Sequence, residues 1–220
     1  MVLQVLAAVV CLVGNAVLEA SPVRFLAQNQ ELASRKIGVR DPNGVTILKD
    51  LSSKKRSAPY SFEMRDGPLV LVDMDGDDAK PLEMELPIAA DLKSPLVLMI
   101  ADEEGPFGLR ALVVEDGFEG FPWGTMRFVN TTANPLVIRT TSGTVEIGAS
   151  CALRDIHPGE EAGNIGLQLY APDHPDDVRY SAVWEHDPAI RKLAFIVDSA
   201  SPEEESLQVL VIPETRQRLK

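Results

Sequence analysis

From residue 21 onward the chain is a succession of short apolar or alternating runs, each cut off by Gly, Pro, Asp or Asn. That is the periodicity and punctuation of strands, not of helices. In Tyr180-Ser-Ala-Val-Trp184 the residues Tyr180, Ala182 and Trp184 share one side. In Leu82-Glu-Met-Glu-Leu86 the leucines and Met84 are expected to face inward and Glu83 and Glu85 to face water. The pattern predicts strands at Val23 to Ala27, Lys36 to Val39, Val45 to Leu48, Tyr60 to Met64, Leu69 to Asp73, Leu82 to Leu86, Leu96 to Ala101 and Leu109 to Glu115. A second set is predicted at Met126 to Asn130, Leu136 to Thr140, Thr144 to Ile147, Cys151 to Asp155, Ile165 to Tyr170, Arg179 to Glu185, Leu193 to Asp198 and Leu207 to Ile212. No helix is predicted beyond the first 20 residues.

The second set repeats the first. Leu96, Leu98 and Ile100 lie over Leu193, Phe195 and Val197 at an offset of 97, and Leu109, Val113 and Val114 over Leu207, Val211 and Ile212 at 98. The openings match too, Val23-Arg-Phe-Leu26 with Met126-Arg-Phe-Val129. A unit of roughly ninety residues is too long for a solenoid repeat and long enough to bury a core of its own. The expected fold is therefore all-β: two tandem antiparallel β-sandwich, immunoglobulin-like domains from an internal duplication, at residues 21–115 and 125–214. A barrel is the alternative. The runs at Leu96 to Ile100 and Leu193 to Val197 are apolar on both faces, which places them as central strands or as strands covered by the neighbouring domain.

Between the repeats, residues 116–124 read Asp-Gly-Phe-Glu-Gly-Phe-Pro-Trp-Gly. Phe118, Phe121 and Trp123 concentrate too much apolar area for a free linker, so the rings are expected to bury against one or both domains and fix their orientation. The functional alternative is an aromatic platform for a sugar ring or peptide.

The stretch Met1 to Val17 is apolar apart from Gln4 and Asn15, and it reads as a signal peptide helix spanning residues 1–20, cleaved after Ala20. Its n-region carries no Lys or Arg, and an uncleaved membrane anchor is the rival. The implied location is secreted or periplasmic. Cys11 would leave with the signal, so Cys151 stands alone and no intramolecular disulfide forms. The net charge of −12 repels phosphate backbones and argues against nucleic-acid binding. The local exceptions, Lys54-Lys55-Arg56 and the basic tail 215–220, read as solvated loop and terminus.

Candidate chemistry is sparse. Asp73, Asp75, Asp77 and Asp78 form an acidic loop of the kind a calcium ion takes, but Gly76 and Met84 occupy the wrong places for an EF-hand. The competing reading is a hairpin turn, and the equivalent loop Ala171 to Asp177 is also acidic. His157, His174 and His186 accompany Cys151 in the second half, yet the methionine a blue-copper site wants does not follow, so they read as solvated loop histidines. There is no Gly-x-Ser-x-Gly elbow and no Gly-rich phosphate loop. Cys151 reads as a buried small residue. Asn130-Thr-Thr132 is a formal glycosylation sequon.

The segments Phe121-Pro-Trp-Gly-Thr-Met-Arg-Phe-Val-Asn130 and Tyr180 to Val197 resemble stretches in uncharacterised secreted bacterial proteins built of tandem β-sandwich modules. The resemblance implies fold and export, and carries no enzymatic motif. The expected function is that of an exported, non-catalytic envelope protein, a structural or adaptor module binding a protein or polymer partner and needing no cofactor. The alternatives are a carbohydrate-binding or polysaccharide-acting module and a calcium-stabilised surface module.

Overall fold

The computed structural model describes residues 22–64, 67–76, 81–199 and 206–216. The signal-peptide reading, Asp77, Asp78 and the end of the basic tail lie outside these residues. Seven strands form the first half: β1 (Arg24–Ala27), β2 (Ile37–Asp41), β3 (Gly44–Ile47), β4 (Leu69–Asp73), β5 (Glu83–Leu86), β6 (Pro95–Ala101) and β7 (Leu109–Glu115). Eight form the second: β8 (Met126–Asn130), β9 (Leu136–Thr140), β10 (Gly143–Ile147), β11 (Ala152–Ile156), β12 (Gly163–Tyr170), β13 (Val178–His186), β14 (Ile190–Asp198) and β15 (Leu207–Thr215).

Each half is a two-sheet sandwich. The first pairs sheet β3-β2-β4-β5 with sheet β1-β6-β7, and the second pairs β10-β9-β12-β13 with β11-β8-β14-β15. The correspondence extends to register. Leu96 faces Val114 across the β6–β7 ladder, and their repeat equivalents Leu193 and Ile212 face one another across β14–β15. Both halves turn from their second strand into their third over two residues, and each third strand opens on a glycine at positive φ, Gly44 at 130° and Gly143 at 150°. No side chain of L-chirality adopts that backbone without strain.

The sandwiches are not purely antiparallel. Strand β1 runs parallel to β6, and β8 parallel to β14. A first strand can lie parallel to a late one because most of each repeat separates them, room enough for the crossover a parallel pair needs. A second departure is Tyr60 to Met64, which forms no strand: Tyr60 makes a single bridge to Val23, and Phe62 turns into the core. Residues 52–60 run alongside β1, where β11 runs beside β8 in the second half, donating Ser57 N–H to Phe25 and accepting from Ala27 at Ser52. Leu82 also misses its expected place and is exposed beyond the end of β5. The helix the periodicity missed is one turn and a half, α1 (Gln30–Ser34), capped by Asn29 Oδ1 accepting from Leu32 N at 2.9 Å.

Three apolar layers separate the four sheets. Phe25, Val39, Leu71, Val97 and Met99 belong to the first core, and Phe128, Ile138, Leu169, Ala194 and Ile196 to the second. The third layer lies between the two inner sheets and takes the other faces of β6 and β14: Leu96, Leu98 and Ile100 against Leu193 and Phe195, with Leu26, Val129 and Phe121. This explains the doubly apolar strands. Each lies in the inner sheet of its own sandwich and in the wall it shares with the other.

Candidate functional site

The linker segment is held by a dense set of charged and backbone hydrogen bonds. The Phe121 ring is 1% exposed and sits in the shared apolar layer. Three guanidiniums stand over it, Arg127 at 4.4 Å, Arg191 at 4.9 Å and Arg56 at 6.0 Å from its centroid. Arg56 of the first half grips Asp116 with two bonds of 2.7 and 2.9 Å. Arg191 of the second half donates to the Asp116 and Phe121 carbonyls at 2.7 and 2.9 Å and pairs with Glu214 at 2.7 Å, while Arg56 reaches the same Glu214 at 3.2 Å. Arg127 binds Asp155 through two bonds of 2.7 Å and also holds the Glu115 and Gly120 carbonyls. The planar fork of arginine suits this work, satisfying carboxylate and carbonyl together in a site with little water.

Of the three rings expected to bury, one does so fully. Trp123 is half-buried with Arg191 at 4.9 Å from its ring, and Phe118 is 65% exposed on the turn in which the Gly117 carbonyl accepts from the Gly120 and Phe121 N–H groups. Phe118 and Trp123 are the residues of the aromatic platform left accessible. The solvated reading of Lys54-Lys55-Arg56 fails at Arg56, whose side chain is buried. Nothing in its local sequence marks it, since its partner Asp116 lies 60 residues away.

The acidic loop joins β4 to β5, which pair antiparallel, with Asp73 N–H donating to the Leu82 carbonyl. Asp73 is buried, and its carboxylate is shared by Arg35 Nη2 at 3.0 Å and the Asp75 N–H at 3.2 Å. Asp75 accepts from Lys36 N at 2.8 Å. A guanidinium already neutralises the first carboxylate a calcium ion would need. Among the described residues no three His, Cys, Asp or Glu side chains gather as a metal group.

The histidines divide. His174 is exposed beside Asp173, and His157 Nδ1 lies 3.0 Å from Thr125 Oγ1. His186 is buried at the end of β13 against the solvated expectation, with Nε2 on the Gly159 carbonyl at 3.0 Å and Nδ1 unpartnered. Cys151 is half-buried rather than buried, at φ 70° just before β11. Burial pushes its thiol up, against Arg110, which pulls it down. The sequon asparagine is structural: Asn130 is fully buried and donates to the Asn134 and Gly148 carbonyls at 2.8 and 2.9 Å.

The sheet edges are the remaining candidates. Residues 52–60 cover β1 and β11 covers β8, so neither first strand is open. Strand β13 ends its sheet for nine residues with Val183 70% exposed. Beside it, Trp184, Ile190, Val211 and Pro213 line a cleft of about 290 Å³ between β13 and β15. Lys192 crosses this cleft to donate to the Glu185 carbonyl at 2.5 Å, and burial lowers its ammonium against the opposing pull of Glu185 and Asp187.

Together these observations define a two-sandwich all-β protein with a cluster of arginines and carboxylates around Phe121 at its internal junction. No protein-family model matches the chain, and no curated protein matches it. Among the described residues no helix is long and apolar enough to cross a membrane.

Proposed function

We propose that the protein is an exported, non-catalytic structural or adaptor module of the envelope, secreted or periplasmic, and that it holds a protein or polymer partner at its sheet edges. The observation that carries this reading is the junction. Arg56 and Arg191 bond to Asp116 and Glu214, and Arg127 and Arg191 hold the Glu115, Gly120, Asp116 and Phe121 carbonyls, so that these charged groups act as a brace across the two halves. A braced pair of sandwiches is a spacer of set length with strand edges on its flanks, and edges are where β proteins take up partners. The matching registers favour an origin by internal duplication, each copy immunoglobulin-like in its two-layer build. The order differs from an immunoglobulin domain in that the first strand joins the sixth and seventh. The resemblance to secreted tandem-sandwich proteins and the apolar leader favour export.

The test is affinity capture from the native envelope fraction with the chain from Ser21 to Lys220 as bait, with and without chelator. A defined protein partner is expected, unaffected by chelator. Glycan enrichment lost on Trp123→Ala would replace this reading with carbohydrate binding through the accessible Phe118 and Trp123. Capture that depends on metal would favour the calcium-stabilised module.

A further inference from the structure

We propose that the outer edge of β13 pairs with the same edge of a second copy of this chain, antiparallel and centred on Ala182. The observation is the self-complementarity of Arg179-Tyr-Ser-Ala-Val-Trp-Glu185. Read from its two ends toward Ala182, it sets a cation against an anion, an aromatic against an aromatic, and Ser181 against Val183. Two-fold pairing about Ala182 puts Arg179 opposite Glu185 of the second copy, twice, and Tyr180 opposite Trp184. The inner faces of the two sheets stay on one side, so each Tyr180 and Trp184 remains over its own core, where they pack beside Phe128.

At the Glu185 end Lys192 Nζ holds the Glu185 carbonyl at 2.5 Å and has to give way to the second copy; the rest of the edge agrees with pairing. Val183 stands out because its neighbour across the ladder is Gly166, which has no side chain to cover it. In the paired arrangement Val183 lies opposite Ser181 of the second copy and diagonal to the second Val183, which removes both from water. At the far end the ladder shifts register between Leu169 and Tyr170, and Arg179 sits in the irregularity with Nε 3.4 Å from Asp177. Pairing asks its guanidinium to turn toward Glu185 of the second copy. The corresponding edge of the first half works against self-pairing: β5 is four residues long, and turning it on itself about Met84 sets Glu83 against Glu85.

The inference stands apart from the capture of a foreign partner, and its failure would leave the adaptor reading intact. The experiment is sedimentation velocity on the chain from Ser21 to Lys220, which carries the whole described fold. Wild type is expected to sediment as a dimer at high micromolar concentration. Arg179→Glu and Glu185→Arg, each folded by circular dichroism, are expected to be monomers. Mixed together they should dimerise, because each then meets the opposite charge, and the double variant should dimerise alone. Val183→Lys is expected to weaken association about tenfold or more, or about 1.4 kcal/mol. A monomeric wild type overturns the proposal, and so does a dimer that persists in both single charge variants.

Discussion

The edges of the two outer sheets differ although the strands that form them correspond. Strand β5 offers Glu83 and Glu85 on four residues, and Arg40 ties down Glu83. Strand β13 occupies the same place for nine residues, and where Glu83 pairs with Val72 the second half pairs Val178 with Tyr170, leaving Arg179 in the irregularity between them and Tyr180. Like charges and short length blunt an edge. By length and charge the first edge disfavours strand addition more than the second does, although the inner strands of both halves pair in matching register at Leu96–Val114 and Leu193–Ile212. A buried core constrains each half through its packing, whereas an edge strand's outward groups answer only to what approaches from solvent.

The largest expected effect tests whether the cores are as alike as their registers. Phe25 and Phe128 are equivalent, both fully buried and both against aromatic neighbours, Tyr60 and Phe62 in the first half and Trp184 in the second. Phe25→Ala and Phe128→Ala should each cost about 3–5 kcal/mol in chemical denaturation, and a gap of several kcal/mol between them would break the equivalence. The junction comes next. Arg191→Met leaves the Asp116 and Phe121 carbonyls without their donor and should cost about 3 kcal/mol. Calorimetry should then resolve two unfolding steps, one for each half, where wild type shows one; a single step in the variant would mean that the apolar layer alone couples the sandwiches. The smallest effect sharpens the comparison of turns. Gly44→Ala and Gly143→Ala meet no neighbouring atom and pay only for positive φ. Each should lower stability by about 1–2 kcal/mol, by matching amounts if the two hairpins carry the same strain.

Most strand positions were legible because alternation and punctuation are local properties, and β4, β7, β8 and β9 lie where the pattern placed them. The failures share a cause. Tyr60 to Met64 has the composition of a strand, but Phe62 is drawn into the core and only Tyr60 finds a ladder partner. The five residues of α1 are too few for a helical period to show, and its cap at Asn29 is the one local sign. The candidate site was legible in part. The linker's apolar weight marked Phe121 correctly, but nothing in the sequence separated it from Phe118, because which ring turns inward depends on where the two inner sheets meet.

The sequence by itself determined the all-β class, the two corresponding halves, the inward faces of most strands and the double burial of the runs at Leu96 and Leu193, since each follows from period, composition and repetition along the chain. Only the tertiary structure decided that β1 and β8 lie parallel to their partners, that Arg56 joins Asp116 and Glu214 inside the junction, and that β13 ends its sheet among the described residues. Those outcomes turn on contacts between residues far apart in sequence. Burial and charge pairing act on distance in space, and the order of residues along the chain does not record it.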